Sequence, residues 1–137
     1  MKRITRIRFL VLIMVLVIII LPLTARSEIR VLDHPIDIGA AVTTAVTTPI
    51  VIPRNMVAFQ MVVKIPDTTN GVTFTVALTD GSDRVIKTYS GLADNTGTSP
   101  HVLKPVVVVQ NGYKLSITPS GATGNAITIT TTISYSD

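Results

Sequence analysis

The sequence predicts an all-β fold: a single antiparallel β-sandwich of eight or nine strands, jelly-roll or immunoglobulin-like, over residues 28–137. An N-terminal hydrophobic signal or anchor helix over residues 1–27 precedes it. Three observations predict this. Past Glu28, apolar and hydroxyl-bearing residues alternate with the period of two that marks half-buried strands. Turn residues interrupt the alternation about every 8–12 residues, the spacing of sandwiches and barrels. No stretch in that region repeats apolar residues at helical spacing.

The chain opens with MKRITRIR, in which Lys2, Arg3, Arg6 and Arg8 form a basic head. An unbroken apolar run follows from Phe9 to Leu21 and ends at Pro22. Small residues at Ala25 and Ser27 then supply an exit. These are the three parts of a secretory signal peptide. The run is short of the roughly 20 residues a spanning helix needs. Cleavage after Ser27, with Ala25 two residues before it, suits the small-x-small rule. The alternative is an uncleaved membrane anchor that draws in Ile4, Ile7 and Leu23. Either way the expected localisation is exported: extracellular, cell-surface or periplasmic, with membrane contact only through residues 1–27.

After the leader, EIRVL and IDIG read as short strands separated by a turn at His34-Pro35. AAVTTAVTTPIVIP holds one or two more. In MVAFQMVVKI, Val57, Phe59, Met61, Val63 and Ile65 share one face. VTFTVALT places Val72, Phe74, Val76 and Leu78 inward. Asp80-Gly81 is a type I′ hairpin signal leading to DRVIKTYS, which alternates through Val85, Lys87 and Tyr89. GLADNTGTSP reads as a long polar loop. HVLKPVVVVQ carries Pro105, which marks an edge or a bulge. Asn111-Gly112 is a second hairpin signal, leading into YKLSIT with Tyr113, Leu115 and Ile117 inward. The last strand puts Ile127, Ile129, Thr131, Ile133 and Tyr135 on one face and hydroxyl residues on the other.

The net charge of +4 in 137 residues is a property of the leader. Lys2, Arg3, Arg6, Arg8 and Arg26 lie there without an acid, so the remainder is close to neutral, with scattered charges. Aromatic residues are 4% of the chain. No basic stripe and no stacking platform is left for nucleic acid. The absence of cysteine removes thiol catalysis and thiolate zinc sites. An exported domain of this length then holds together by burial alone.

Catalytic constellations are not evident. Asp33, His34 and Asp37 crowd the segment DHPID, but a closed metal site needs about four ligands. Asp80, Asp83 and Asp94 lack the pattern of a calcium loop. Ser90 has no nucleophile elbow. No cofactor is expected, and the chain is read as a non-enzyme. Thr73/Thr75 and Thr128/Thr130/Thr132 resemble the threonine arrays of β-type ice-binding proteins over a few residues, without their regular repeat. Thr-rich outer faces suit ordinary strand surface and are mild enough for another protein to cover.

By elimination, the sequence indicates a non-catalytic exported structural or interaction module, at the cell surface or in an extracellular assembly such as a filament. Its expected partner is a second copy of itself or another surface protein. The segment containing Ile29, Val31, Ile36 and Ile38 is the candidate inter-subunit strand, since strand addition uses main-chain hydrogen bonds. Two alternatives remain. One is a soluble periplasmic or secreted ligand-binding domain with loop contacts at Tyr89, Asp94 and Asn95. The other is a virion structural or surface protein.

Overall fold

The structure is a computed structural model, and it describes residues 28–52, 55–94 and 100–136. The leader at 1–27, with its expected signal or anchor helix, and Asn95 lie outside the described residues. Nine strands are present among those described: β1 (Ile29–Ile38), β2 (Val46–Pro49), β3 (Met56–Lys64), β4 (Thr73–Thr79), β5 (Val85–Ala93), β6 (His101–Leu103), β7 (Val107–Val109), β8 (Lys114–Pro119) and β9 (Ile127–Ser136).

Sheet I runs β1-β9-β3-β6, with β7 also paired to β3; sheet II runs β2-β8-β4-β5. Every pairing is antiparallel. The pairs β4·β5, β3·β6/β7, β2·β8 and β1·β9 nest one inside the next. The chain is thus one long hairpin with its tip between Thr79 and Val85, rolled until the pairs alternate between two layers. An immunoglobulin-like sandwich keeps its first two strands in one sheet. Here β1 and β2 lie in different sheets, which makes the arrangement a jelly roll, with β6 and β7 sharing one strand position.

The interior is aliphatic. Ile36, Ile38, Met56, Met61, Val63, Ile129 and Ile133 from sheet I face Phe74, Val76, Leu78, Leu115 and Ile117 from sheet II, all at most 2% exposed. The inward sets expected for β4 and β9 are observed, with Thr131 fully buried and Tyr135 half-buried.

Other segments differ from the sequence reading, each for a physical reason. His34-Pro35 is no turn: β1 runs unbroken through it. A strand that pairs on one side only leaves a free edge, where a proline costs no ladder hydrogen bond. In β3 the pairing with β9 slips between Ala58 and Gln60, leaving Phe59 as the extra residue of a bulge. The bulge shifts the phase by one. Met56 and Ala58 point inward before it and Met61 and Val63 after it, while Val57 is turned out and Phe59 is only half-buried.

Asp80-Gly81 is not a type I′ turn. Asp83 N–H donates to Asp80 O at 3.0 Å and Asp80 N–H to Arg84 O at 3.0 Å. It is Asp83 that takes the left-handed conformation, at φ 62°, as in a longer hairpin loop closed by a bulge residue. Asn111-Gly112 joins β7 of sheet I to β8 of sheet II, so it is a crossover between layers rather than a hairpin. Only Gly112, at φ 94°, is left-handed there. The expected loop from Gly91 starts later: β5 continues through Leu92, which enters the core, after Gly91 turns at φ 71°.

Val106, between β6 and β7, sits at φ 44°. This is a costly conformation for a β-branched residue, and its side chain is exposed. Val106→Asn is expected to raise stability by about 1 kcal/mol, because asparagine tolerates that region. Calorimetry showing no rise in Tm would remove the strain from the account.

Candidate assembly surface

Strand alternation sorts the chemistry-bearing residues before any site is considered. In DHPID it sends His34 inward and Asp33 and Asp37 outward, so the three cannot converge on a metal. No group of three or more His, Asp or Glu suited to a metal ion occurs among the described residues. Asp80 and Asp83 stay in the β4–β5 turn. Asp80 Oδ1 accepts from Ser82 N–H at 2.9 Å and Arg84 N–H at 3.0 Å, and Asp83 pairs with Lys114 at 2.6 Å. The Arg84 backbone N–H, with that of Ser82 and the Arg84 guanidinium, holds the Asp80 carboxyl below its ordinary value.

Asp94 lies elsewhere. It accepts from Thr68 Oγ1 at 2.7 Å and Thr68 N–H at 3.0 Å, and these bonds, the hydroxyl first, lower its pKa. It clasps the β3–β4 loop. Tyr89, opposite Val76 in the register, packs against the core, and burial raises its pKa. His101 is in β6, its Nε2 2.7 Å from Ala93 O. Of the candidate loop contacts, then, one is engaged in a clasp, one is packed inward and Asn95 is outside the described residues.

The four residues expected to form an inter-subunit strand divide evenly. Ile36 and Ile38 are buried in the chain's own core, and β1 as a whole pairs with β9 of the same chain. Ile29 and Val31 are 67% and 59% exposed. They belong to a surface that extends across all of sheet I. The registers define its rows. Ile29, Ser136, Val57 and Val108 stand side by side. Next come Val31, Ser134 and Gln60. Asp33, Thr132, Val62 and Val102 follow, then Pro35, Thr130 and Lys64, and last Asp37 and Thr128.

One end of this face is therefore valine, isoleucine and serine, and the other carries its charges. Thr132 Oγ1 donates to Asp33 Oδ1 at 2.7 Å and Thr128 Oγ1 to Asp37 Oδ1 at 2.6 Å, which holds both carboxylates on the β1–β9 side. Lys64, on β3, makes no ion pair among the described residues. The outer face of sheet II differs: Thr47, Ser116, Ala77 and Thr88 share a row, with a Thr47–Ser116 hydroxyl bond of 3.0 Å. Ile29, Val31, Val57, Val102 and Val108 are thus exposed together on sheet I, while Val85 is exposed on β5 of sheet II and Val51 and Val106 in connections. The sequence marked Ile29 and Val31. It hid Val57, which the Phe59 bulge turns outward, and Val102 and Val108, which lie in a run without period.

Directly beneath this face, His34 and Thr131 are cross-strand partners pointing inward. His34 Nε2 and Thr131 Oγ1 are buried without a hydrogen-bond partner among the described residues. Burial lowers the His34 pKa from its ordinary 6.5. The unfolded chain then takes up the proton first on acidification. Stability from neutral His34 is complete above pH 6.5 and is lost as pH falls toward the lower folded value. A drop of a few degrees in Tm is expected between pH 6.5 and 5, above the range where Asp80 and Asp94 titrate. The drop should flatten in His34→Leu; an unchanged pH profile in that variant would assign it elsewhere.

No protein-family model matches the chain, and no curated protein is similar to it. Solved structures are. A capsid chain of the cyanophage Pam1 superposes with TM-score 0.55 at 12% identity, covering 80% of this chain and 85% of that one. A chain from the disulfide-linked pili of Bacillus endospore appendages superposes with TM-score 0.50 at 18% identity, covering 82% and 91%. At such identities the likeness is one of fold.

Proposed function

We propose that this chain is an exported, non-catalytic structural module that builds an extracellular assembly by binding copies of itself. The observation that carries the reading is the outer face of sheet I. There, exposed isoleucine and valine side chains of β1, β3, β6 and β7 stand in register on either side of the hydroxyl residues of β9. Exposed apolar side chains gathered on one face are a mark of interaction surfaces, whereas scattered ones are not. The fold supports the reading as well, since it is shared with a phage capsid chain and a pilus chain.

Strand addition is the finer form of this proposal. Among the described residues β1 borders sheet I, and its stretch before Pro35 brings Ile29 and Val31 to that border, where a second chain's strand would add. Pro35, together with Asp33 and Asp37, blunts the rest of that edge in the way natural edge strands are protected. Ile36 and Ile38, as core residues, anchor β1 in its own sheet. The leader at 1–27 supplies export in this reading, and the assembly forms outside the cell or in a virion.

The test is light scattering after size exclusion, on protein recovered from a secreting host, over a wide concentration range. Multimers that grow with concentration are expected, with an intact mass lacking residues 1–27. A monomer at every concentration would overturn the assembly reading. Electron microscopy of the multimers separates filaments from closed shells, the second being the virion form of the same proposal.

A further inference from the structure

We infer that the outer face of sheet I is a two-fold interface with a second copy of this chain, the axis running parallel to β9 in the plane between the two faces. This deepens the assembly reading above and rests on it.

The argument is the self-complementarity of the rows. A two-fold axis along the strands keeps each row at its own level and exchanges left for right. β1 of each copy then lies over β3 of the other. Ile29 meets Val57 of the second copy, apolar on apolar, and Val31 stands opposite Gln60. At the other end, Asp33 and Asp37 bracket the level of Lys64, which shares its row with Pro35. Within one copy Lys64 is two strands from β1, and its side chain projects from the sheet alongside Asp33 and Asp37 rather than toward them. Between copies, side chains of facing sheets point at one another across about 10 Å, and the lysine comes within reach of either carboxylate. An axis across the strands instead places Ile29 over Asp37 and leaves Lys64 without an acid. Charge and apolar pattern both select the first arrangement.

Three strand positions overlap, β1, β9 and β3; at about 4.8 Å each and ten residues at about 3.3 Å they cover on the order of 480 Å² per copy. The total, on the order of 950 Å², is the size of a weak, concentration-dependent contact. The hydroxyl row of Thr128, Thr130, Thr132, Ser134 and Ser136 along the centre carries no charge to desolvate. An isologous contact of this kind requires only one patch that matches itself.

The chain has no cysteine, which makes disulfide trapping clean. Ser134→Cys, on the central strand β9, lies beside the axis and faces its counterpart in the second copy, and with one thiol per chain any disulfide is between copies. The inter-sheet disulfide of immunoglobulin domains shows that two facing layers can be bridged in this way. The full chain carrying this substitution is expected to yield a covalent dimer on mild oxidation, and the chain carrying Thr47→Cys on the outer face of sheet II is not. Lys64→Asp should weaken the dimer about tenfold or more, and Asp33→Lys with Asp37→Lys likewise. All three charge changes together should restore it, which a merely structural role for these residues does not predict. An unchanged far-ultraviolet circular dichroism spectrum in Lys64→Asp checks that the fold is intact. Multimers that form without the disulfide and ignore Lys64→Asp overturn this interface and leave the assembly reading standing. So does a stoichiometric co-purifying protein that blocks the trap. A monomer in every variant overturns both.

Discussion

Thr130→Pro is expected to leave no folded protein, while Pro35→Ala, directly opposite it in the register, changes stability by about 1 kcal/mol or less. The two positions are neighbours in one sheet, so the contrast isolates strand position from location. β9 lies between β1 and β3, and each of its backbone N–H groups faces one neighbour or the other. A proline at 130 removes such a donor, and its ring intrudes on the ladder that joins the two halves of sheet I. Among the described residues β1 pairs on one side only, so its proline sits where no second strand needs the N–H. Expression of soluble Thr130→Pro protein with a cooperative thermal transition would refute the central placement of β9.

Phe74→Ala should cost about 3–5 kcal/mol, a large share of the roughly 5–15 kcal/mol that holds a domain together. Phe74 is 1% exposed and heads the large side chains that are fully buried. It lies on β4, an inner strand of sheet II, opposite Leu92 and Pro119 of the flanking strands. The 10 Å gap between the sheets cannot close around a missing ring without moving both layers. Thr73→Ala, the next residue on the outer face, should stay within about 0.5 kcal/mol. Urea unfolding of the two variants checks this, and comparable midpoints would mean that β4 is not packed as described.

These outcomes separate what was legible in the residues from what was not. In β4 and β9 the alternation of apolar and hydroxyl residues was uninterrupted, and the inward sets follow from it. In β3 the same rule misassigned Val57 and Phe59, because a bulge near the β3–β9 junction absorbs one residue. The Asn111-Gly112 pair has the chemistry of a hairpin turn, yet the strands on either side belong to different layers. His34-Pro35 has the chemistry of a break, yet lies mid-strand because β1 is at the border of its sheet among the described residues. Of the proposed interface, Ile29 and Val31 were visible in advance. Val57, Val102 and Val108 join them only through the pairing of β3 with β7, β6 and β9.

By itself, then, the amino-acid sequence determined the β class, the period of two, the aliphatic interior and the hydroxyl character of the outer faces. These are properties of consecutive residues, set by backbone geometry and side-chain transfer from water. The tertiary structure alone decided the jelly-roll winding, the phase of β3, the edge position of β1 and the placing of Val57, Val102 and Val108 on one face with Ile29 and Val31. Those depend on which distant strand each segment meets, and pairing energies between strands far apart in the chain leave no mark on the local pattern.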